Sequence, residues 1–200
     1  MKGDLPMPRK HRIWFPNAMY HITNRGVRKM TIFYDEQDYL KYLQILEETR
    51  ERYPFHVHSY CLMTNHIHLL LQTITEPISI IMKHLNTNYA KYFNKKHDFV
   101  GHVFQGRFGA ELIRSTDYEL DVSKYIHLNP VRAHMVQKAE DYRWSSYRAY
   151  IFNEENPHVY TEKLLSYFQD PAPIHYQQFT ELQEKSPEPP ELIKPFVKKV

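Results

Sequence analysis

"FHVHSYCLMTNHIHLLLQT", residues 55–73, contains two β-strand patterns separated by a short polar turn. In its second half, aliphatic side chains alternate with a set that includes two histidines. The aliphatic residues are Ile67, Leu69 and Leu71, and the alternating ones are His66, His68 and Leu70. A period of two residues places these sets on opposite faces of a strand. The stretch therefore predicts a hairpin of strands at 55–63 and 65–73, with one face in a core and imidazoles on the other.

Periodic segments on both sides of the hairpin predict further elements. "AMYHITNRG" (18–26) has a strand pattern that ends at a glycine, and residues 35–53 form an amphipathic helical pattern with Asp35 as its N-cap. After the hairpin, residues 76–97 repeat apolar side chains at helical spacing. Helices are therefore expected before and after the hairpin.

The region after the second helix is predicted to contain a strand and a third helix. "HVFQGRF" (102–108) lies between two glycines, which favours a fourth strand with a bulge at Gly106. Ser115 is expected to cap a helix that continues to Asn129, where Pro130 ends it.

The predicted order of elements is βαββαβ followed by one extra helix. This order is typical of a ferredoxin-like or RRM-like α+β sandwich, an antiparallel sheet with helices on one face. The extra helix is then expected to lie across the open face. Residues 1–150 are predicted to form this domain. Residues 151–200, which are acidic and rich in proline, are predicted to form an appendage with one short helix near 161–169.

Composition narrows the class of protein. The chain has 200 residues, 42% of them hydrophobic, which suits one globular core. Its single cysteine, Cys61, excludes a disulfide framework and a cysteine-rich zinc site. The sequence contains no apolar run of membrane-spanning length and no secretory signal, so a cytoplasmic location without a membrane partner is expected. Residues 1–30 hold seven Lys or Arg against Asp4 alone, a balance compatible with nucleic-acid binding.

The histidines form two HxH pairs, His56 with His58 and His66 with His68. In both pairs the i, i+2 spacing on a strand brings two imidazoles to one face, within reach of a single metal ion. Such a short motif is more often structural than metal-binding, and the spacing alone does not distinguish the pairs.

A longer context distinguishes them. "YCLMTNHIHLLLQT" (60–73) together with "KYIHLNPVRAHMV" (124–136) resembles the HUH single-tyrosine transposases, specifically their REP-associated tyrosine transposase branch. The resemblance extends through "YHITNRGVRKMTIF" (20–33), "HVFQGRFGAELI" (102–113) and "YRWSSYRAY" (142–150), in the order of that family. It implies the fold predicted above and an enzyme that nicks and joins DNA.

The resemblance also implies roles for individual residues. It assigns His66 and His68 to a divalent metal ion, Mg²⁺ or Mn²⁺, and Tyr125 to nucleophilic attack. Asn129, one helical turn after Tyr125, would complete the metal site. Better known relatives carry glutamine at this position, so ligation by the shorter asparagine is less secure than ligation by the histidines. Tyr118, two turns before Tyr125, is the rival nucleophile, but it has no polar residue at i+4.

The implied reaction is cleavage and strand transfer of single-stranded DNA through a 5′-phosphotyrosine intermediate. A phenol with its ordinary pKa near 10 is a weak nucleophile, which explains the need for a metal ion. The implied substrate is a DNA hairpin of the repetitive extragenic palindrome (REP) type. A monomer is expected, with a dimer as the alternative. The predicted DNA contacts are Arg12, Arg25, Arg28, Lys29, Arg107 and Arg132.

Two other functions remain open at this point. An RRM-like sheet could bind single-stranded nucleic acid without catalysis, by stacking bases on aromatic side chains. Alternatively, the HxH motif could serve a metal-dependent hydrolase that forms no covalent intermediate. Metal-dependent nicking would argue against the first, and a trapped tyrosine adduct would exclude the second.

Overall fold

The computed structural model describes residues 13–182. The strands are β1 (Met19–Arg25), β2 (Phe55–Met63), β3 (His66–Thr73) and β4 (Gly109–Leu112). The helices are α1 (Glu36–Arg52), α2 (Ile78–Lys96), α3 (Thr116–Arg132), α4 (Tyr147–Ile151), α5 (Glu162–Leu165) and α6 (Ala172–Glu181).

The strands form one antiparallel sheet in the order β2-β3-β1-β4. The central pair, β1 and β3, comes from segments far apart in sequence, and this order is the one expected of a ferredoxin-like βαββαβ chain. The predicted α+β class is therefore confirmed. Among the helices of residues 13–182, none combines the length and the apolar character that crossing a membrane requires.

The two faces of the sheet carry separate cores, as the period of β3 predicts. Ile67, Leu69 and Leu71 are buried in a cluster with α1 and α2. On the other face, Leu70 belongs to a second cluster that includes Ile126 of α3. The extra helix thus covers the face that α1 and α2 leave open, as expected.

Side-chain caps begin two of the long helices where the sequence places them. Asp35 accepts a hydrogen bond from the backbone N–H of Asp38 at 3.1 Å, and Ser115 accepts one from the N–H of Tyr118 at 3.3 Å. Each cap satisfies a donor that the first turn of a helix would otherwise leave unpaired. Both predicted N-caps are confirmed.

The predicted position of the fourth strand is wrong. Residues 102–108 form a loop in which Gly106 has a left-handed φ of 77°, and β4 begins only at Gly109. A Cβ at position 109 would lie 2.4 Å from the Thr23 Oγ1, so glycine allows the close approach of β4 to β1. The buried side chains Val103, Phe104 and Phe108 gave the loop its strand-like pattern.

The third helix does not end at Asn129, because Pro130 lies inside its last turn. Proline lacks an N–H and so removes one helical hydrogen bond. The following residues continue to use carbonyls of this turn: Ala133 N–H donates to Asn129 and Met135 N–H to Pro130, both at 2.9 Å. The helix therefore continues to Arg132.

The C-terminal region contains more regular structure than expected. The helix predicted near 161–169 is present as the shorter α5, whereas α6 was not predicted. Apolar side chains of both segments are buried in the same cluster as α3; they are Leu164, Phe168, Tyr176 and Phe179. The division of the chain at residue 150 stays a prediction, and residues 183–200 lie outside the described part.

Asp38 links α1 to α2 through a buried carboxylate. Its oxygens accept hydrogen bonds from Lys96 at 2.9 Å, His97 at 3.0 Å, the Tyr92 hydroxyl at 3.0 Å and the Tyr34 backbone N–H at 2.8 Å. Burial favours the protonated acid, but these donors outweigh it and hold the pKa of Asp38 below its usual value.

We expect Asp38→Ala to lower the free energy of unfolding at pH 7 by about 2–4 kcal/mol, because the buried donors lose their acceptor. A carboxyl whose pKa is lowered in the folded state stabilises it above the unfolded pKa near 3.9. That stabilisation is lost as the pH falls through the lower, folded value. Urea titrations at pH 7 and at pH 3 should therefore differ more for the wild type than for Asp38→Ala. Glu51→Ala, an exposed change on the same helix, is the control, and equal losses in both variants would contradict this role.

Candidate active site

A cavity of about 360 Å³ lies where the start of β3 meets β1, α3 and the loop before β4. Its lining is mainly polar or basic and includes one tyrosine. The lining residues are Thr23, Asn24, Arg25, His66, His68, Gln105, Arg107, Gly109 and Tyr125. The predicted nucleophile and both predicted metal-binding histidines therefore share one cavity.

His66 and His68 project from β3 on the α3 side of the sheet. Their ring centroids are 5.0 Å apart and the rings are nearly perpendicular. Burial, together with the neighbouring His21 and His66, lowers the pKa of His68 to about 3. Burial and the charge of Arg25 also lower the pKa of His66, against a hydrogen bond with Asn129 that raises it. Both imidazoles are therefore neutral at pH 7, which is the form that binds metal ions.

Tyr125 reaches this cavity from α3. Its ring contacts His68 edge to face at a centroid distance of 5.4 Å and His21 at 5.8 Å. The guanidinium of Arg132, two turns later on α3, lies 5.1 Å from the ring centroid of Tyr125. The side chain is 38% exposed, so a large substrate can approach its hydroxyl.

Asn129 lies one turn after Tyr125 and is buried. Its side chain makes the hydrogen bond that raises the pKa of His66, whereas its Nδ2 atom is buried without a partner. An unpaired buried amide atom is costly in a closed site, and rotation of the amide would place the oxygen there instead. Asn129 is thus positioned beside His66 with unused hydrogen-bonding capacity.

Tyr118 is placed differently. A hydrogen bond to Glu111 is the main reason that its pKa rises to about 12, and burial adds to the effect. It does not line the cavity that contains His66 and His68. The geometry favours Tyr125 over Tyr118 as the tyrosine nearest the histidine pair.

The second HxH pair has a structural environment. His58 is fully buried, and its two ring nitrogens lie 2.9 Å from the Gln72 side-chain oxygen and 3.2 Å from the Tyr160 carbonyl. His56 packs beside the ring of Tyr160. Because both nitrogens of His58 have protein partners, this pair cannot offer two free imidazole nitrogens to one ion.

A buried hydrogen-bond chain holds α3 against the rest of the molecule. His127, between Tyr125 and Asn129 in sequence, bonds through its ring nitrogens to Ser146 and to the Tyr176 hydroxyl, both at 2.8 Å. Burial lowers the pKa of His127 to about 3, so it is neutral and both bonds are between uncharged groups. The α6 residue Tyr176 therefore helps to fix the helix that carries Tyr125.

The chain is similar to known proteins in sequence and in fold. Residues 15–129, more than half of the chain, match the family model described as "Transposase IS200 like". The chain belongs to the IS200-like transposase family. The family resemblance read from the sequence is confirmed, and the chain is an enzyme of the class that nicks and joins DNA.

Two relatives of this transposase are more specific. A Haemophilus influenzae protein with the provisional name REP-associated tyrosine transposase is 29% identical over 133 residues, 60% of this chain and 75% of the relative. A solved structure of a REP-associated tyrosine transposase bound to a REP hairpin is 18% identical. It covers 79% of this chain and 93% of its own, with a TM-score of 0.62. At this identity the structural match supports the fold, which agrees with the predicted class.

Arg25, Arg28 and Lys29, at the end of β1 and in the turn that follows it, form a basic turn beside the cavity. Arg25 and Arg107 line the cavity, and Arg28 and Lys29 are exposed in the turn after β1. Both turn residues have a left-handed backbone, with φ values of 51° and 63°. The turn also needs Gly26, because a Cβ there would lie 2.2 Å from a backbone oxygen. The predicted contact Arg12 lies outside the described residues.

Four basic residues of α2 lie on the opposite layer of the sheet from the cavity. The second helix packs on the sheet face opposite Tyr125. Lys96 is also engaged in ion pairs with Asp35 and Asp38, at 2.6 and 2.9 Å. The others, Lys83, Lys91 and Lys95, stay exposed on that layer.

Sequence reasoning missed polar residues that surround the histidines. His21 lies with its Nε2 3.0 Å from His68 Nδ1, and Asn65 lies with its Oδ1 2.7 Å from His66 Nδ1. Asn24 and Gln105 line the cavity. The alternation in "YHITNR" already places His21 on one face with Thr23, but only the pairing of β1 with β3 brings it to His68.

The residues present fit a divalent metal ion, although within residues 13–182 no three His, Cys, Asp or Glu side chains gather as a metal cluster. The donors would be His66, His68 and the Asn129 amide, together with water and phosphate oxygens. Each histidine has its Nδ1 held by another side chain, as is usual for histidines that bind a metal ion. The unpaired amide atom of Asn129 is the further sign that this site accepts another group.

Proposed function

We propose that this IS200-like transposase cleaves and rejoins single-stranded DNA beside a hairpin, through a 5′-phosphotyrosine formed by Tyr125. The observation that carries the proposal is the shared cavity. A tyrosine on a helix and two neutral histidines on a strand converge there, with ring centroids 5.4 Å apart between Tyr125 and His68. The REP hairpin bound to the solved relative suggests the class of DNA.

The proposed chemistry is a transesterification. The Oη of Tyr125 forms a bond to phosphorus, the bond from phosphorus to the 3′ oxygen breaks, and the departing 3′ oxygen takes up a proton. The phenol loses its own proton in the same step. Because the phosphodiester energy is kept in the tyrosine ester, a 3′-hydroxyl of another strand can reverse the reaction and join the DNA. Hydrolysis without a covalent step would not permit joining.

Residues of the chain would hold the reacting groups. His66, His68 and Asn129 would bind Mg²⁺ or Mn²⁺, which would neutralise the scissile phosphate and align it with the phenol. The hard oxygen donors of the amide, water and phosphate favour these ions over zinc. Arg132, stacked on the Tyr125 ring, adds a positive charge next to the attacking oxygen.

The basic turn is proposed to bind the phosphates of the hairpin stem. Arg25, Arg28 and Lys29 follow β1 directly, and Arg25 and Arg107 lead from the turn into the cavity. Contacts to phosphates position DNA without reading its sequence, so bases next to the stem would be read inside the cavity. Arg12 remains a proposed contact of the leader.

A non-catalytic RRM-like function is less well supported. Binding of bases on an RRM requires an open sheet face. Here α3 packs on that face, and its Ile126 shares a buried cluster with the sheet residue Leu70. The same packing supports a monomer, because the chain's own α6 fixes the helix that carries Tyr125. We take the cytoplasm, where DNA is accessible, as the proposed location.

The function is tested by incubating the protein with labelled single-stranded REP-type hairpins and Mg²⁺ or Mn²⁺. We expect a covalent complex that survives denaturing electrophoresis, and a cleaved strand with a free 3′-hydroxyl. Neither product should form with chelator. Cleavage should be confined to single-stranded segments beside the stem. Efficient cutting of fully paired linear duplex, or cleavage that never yields an adduct, would refute the proposal.

Replacing Arg25, Arg28 and Lys29 together by alanine should weaken hairpin binding steeply. It should also reduce the slope of log K against log salt by about 2–3, because fewer counterions are released when fewer phosphates are neutralised. Fluorescence anisotropy at several salt concentrations measures both quantities.

The matched control for this variant is Lys83→Ala with Lys91→Ala and Lys95→Ala. It removes the same charge from α2, on the opposite layer of the sheet. A salt slope that changes equally in both variants would show that the basic turn does not bind the phosphates of the stem.

A further inference from the structure

The two histidines of the cavity each use the same ring nitrogen for a contact outside it. His66 Nδ1 lies 2.7 Å from Asn65 Oδ1, and His68 Nδ1 lies 3.0 Å from His21 Nε2. A neutral imidazole carries one N–H, so the partner at Nδ1 decides whether Nε2 keeps its lone pair. Only a nitrogen with its lone pair can bind a metal ion.

The direction of the hydrogen bond at His66 follows from a third contact. The Nδ2 of Asn65 donates to the backbone carbonyl of Lys29 at 3.1 Å, which orients the amide with its oxygen toward His66. An amide oxygen only accepts, so the proton must lie on His66 Nδ1. The lone pair of the imidazole then lies on the remaining nitrogen, Nε2.

The backbone does not explain the asparagine at position 65. Asparagine is common in two-residue hairpin turns because it tolerates a left-handed conformation. Asn65 does not belong to the left-handed residues of the described chain. Its side chain, which joins the basic turn at Lys29 to His66, is therefore the feature to be explained.

The bond at His68 has the same arrangement on the neighbouring strand. Glu111 lies directly opposite His21 in the pairing of β1 with β4. An acidic neighbour favours a proton on the His21 nitrogen that does not face His68, namely Nδ1. The Nε2 of His21 then accepts from His68 Nδ1, and His68 is 5% exposed, so no water competes easily for this contact.

We propose that Asn65 and His21 are positioning residues that hold His66 and His68 in the Nδ1–H tautomer, so that both Nε2 lone pairs serve one divalent cation. The inference rests on the proposed function for the presence of that cation. It adds Asn65, in the turn between β2 and β3, and His21, on β1, and neither residue lines the cavity. Removal of such a partner typically weakens metal binding by about 10- to 100-fold.

The first test needs no metal ion. Long-range ¹H–¹⁵N NMR spectra of the metal-free protein report the tautomer of each histidine. We expect the Nδ1–H form at His66 and at His68 in the wild type. Asn65→Ala should mix the tautomers of His66 alone, and His21→Phe those of His68 alone. Each variant is thus the folding control for the other.

Conservative variants separate positioning from a merely structural role. Asn65→Asp keeps an acceptor oxygen beside His66, and His21→Gln keeps one near the place of the imidazole Nε2. Both should preserve the Nδ1–H tautomers. Loss of the tautomer in Asn65→Asp and His21→Gln as well as in the apolar variants would overturn the proposal.

The second test is a titration with Mn²⁺ alone, followed by electron paramagnetic resonance. We expect binding about 10- to 100-fold weaker in Asn65→Ala and His21→Phe than in the wild type, and near wild-type binding in the conservative variants. No Mn²⁺ binding by the wild type would refute the metal site of the proposed function itself. Two outcomes would overturn the positioning role only. One is that the wild type binds Mn²⁺ but has its histidines in the Nε2–H tautomer. The other is that both apolar variants bind Mn²⁺ with the affinity of the wild type.

Discussion

Tyr125→Phe is expected to abolish the covalent protein–DNA complex while hairpin binding stays near the wild-type affinity. The substitution removes one oxygen from a partly exposed ring and leaves the edge contacts to His68 and His21 and the stacking of Arg132 in place. Without the nucleophile no tyrosine ester can form, so cleavage should fall by at least about 10³-fold. Denaturing gels measure the adduct, and anisotropy measures binding.

Tyr118→Phe is the matched control, because it removes the same atom from the same helix. Its hydroxyl is occupied by Glu111, which with burial raises the pKa of Tyr118 to about 12 and makes the phenolate scarce. Adduct formation should therefore persist in this variant. A peptide map that places the DNA on Tyr118, or an adduct that survives Tyr125→Phe, would reassign the nucleophile.

The parts of the fold that rest on local periodicity could be predicted from the sequence. The alternation in β3 correctly separates Leu69 from His68, because neighbouring side chains of any strand face opposite ways. Asp35 and Ser115 are correct N-caps, because capping depends on residues within one turn. These features need no knowledge of distant contacts.

The errors arise where distant contacts decide the structure. Phe104 and Phe108 alternate like strand residues, yet they fill the core from a loop, and the regular ladder with β1 begins only at Gly109. No local sequence pattern distinguishes a loop that fills the core from a paired strand. In the acidic C-terminal region, Tyr176 of α6 forms a buried hydrogen bond with His127, which lies 49 residues away in the sequence. Composition alone could not predict that helix.

The candidate site shows the same division. Spacing on one helix relates Tyr125 to Asn129, and the resemblance selects the histidine pair that faces them. The approach of His21 to His68 depends on the register between β1 and β3, which are 47 residues apart at this contact. The residues proposed to touch the substrate could therefore be predicted from the sequence, whereas those proposed to orient them required the assembled sheet.

His66→Ala and His68→Ala are each expected to reduce cleavage by about 10³-fold or more with Mg²⁺ or Mn²⁺, because each removes one of two imidazole donors. Hairpin binding through the basic turn should remain. Stability should change little, since both side chains border the polar cavity rather than the core of Leu69. Cleavage assays with either ion, together with thermal unfolding, measure the two effects.

The matched control is His56→Ala, which removes a histidine from the other HxH pair, where the ring packs beside Tyr160. Its cleavage should stay within about twofold of wild type, as surface substitutions have small effects. His58→Ala should instead cost about 1–3 kcal/mol of stability, because Gln72 and the Tyr160 carbonyl lose a buried partner. Its cleavage per folded molecule should be unchanged. If cleavage were lost in the His56 and His58 variants and kept in those of His66 and His68, the assignment of the metal site would be reversed.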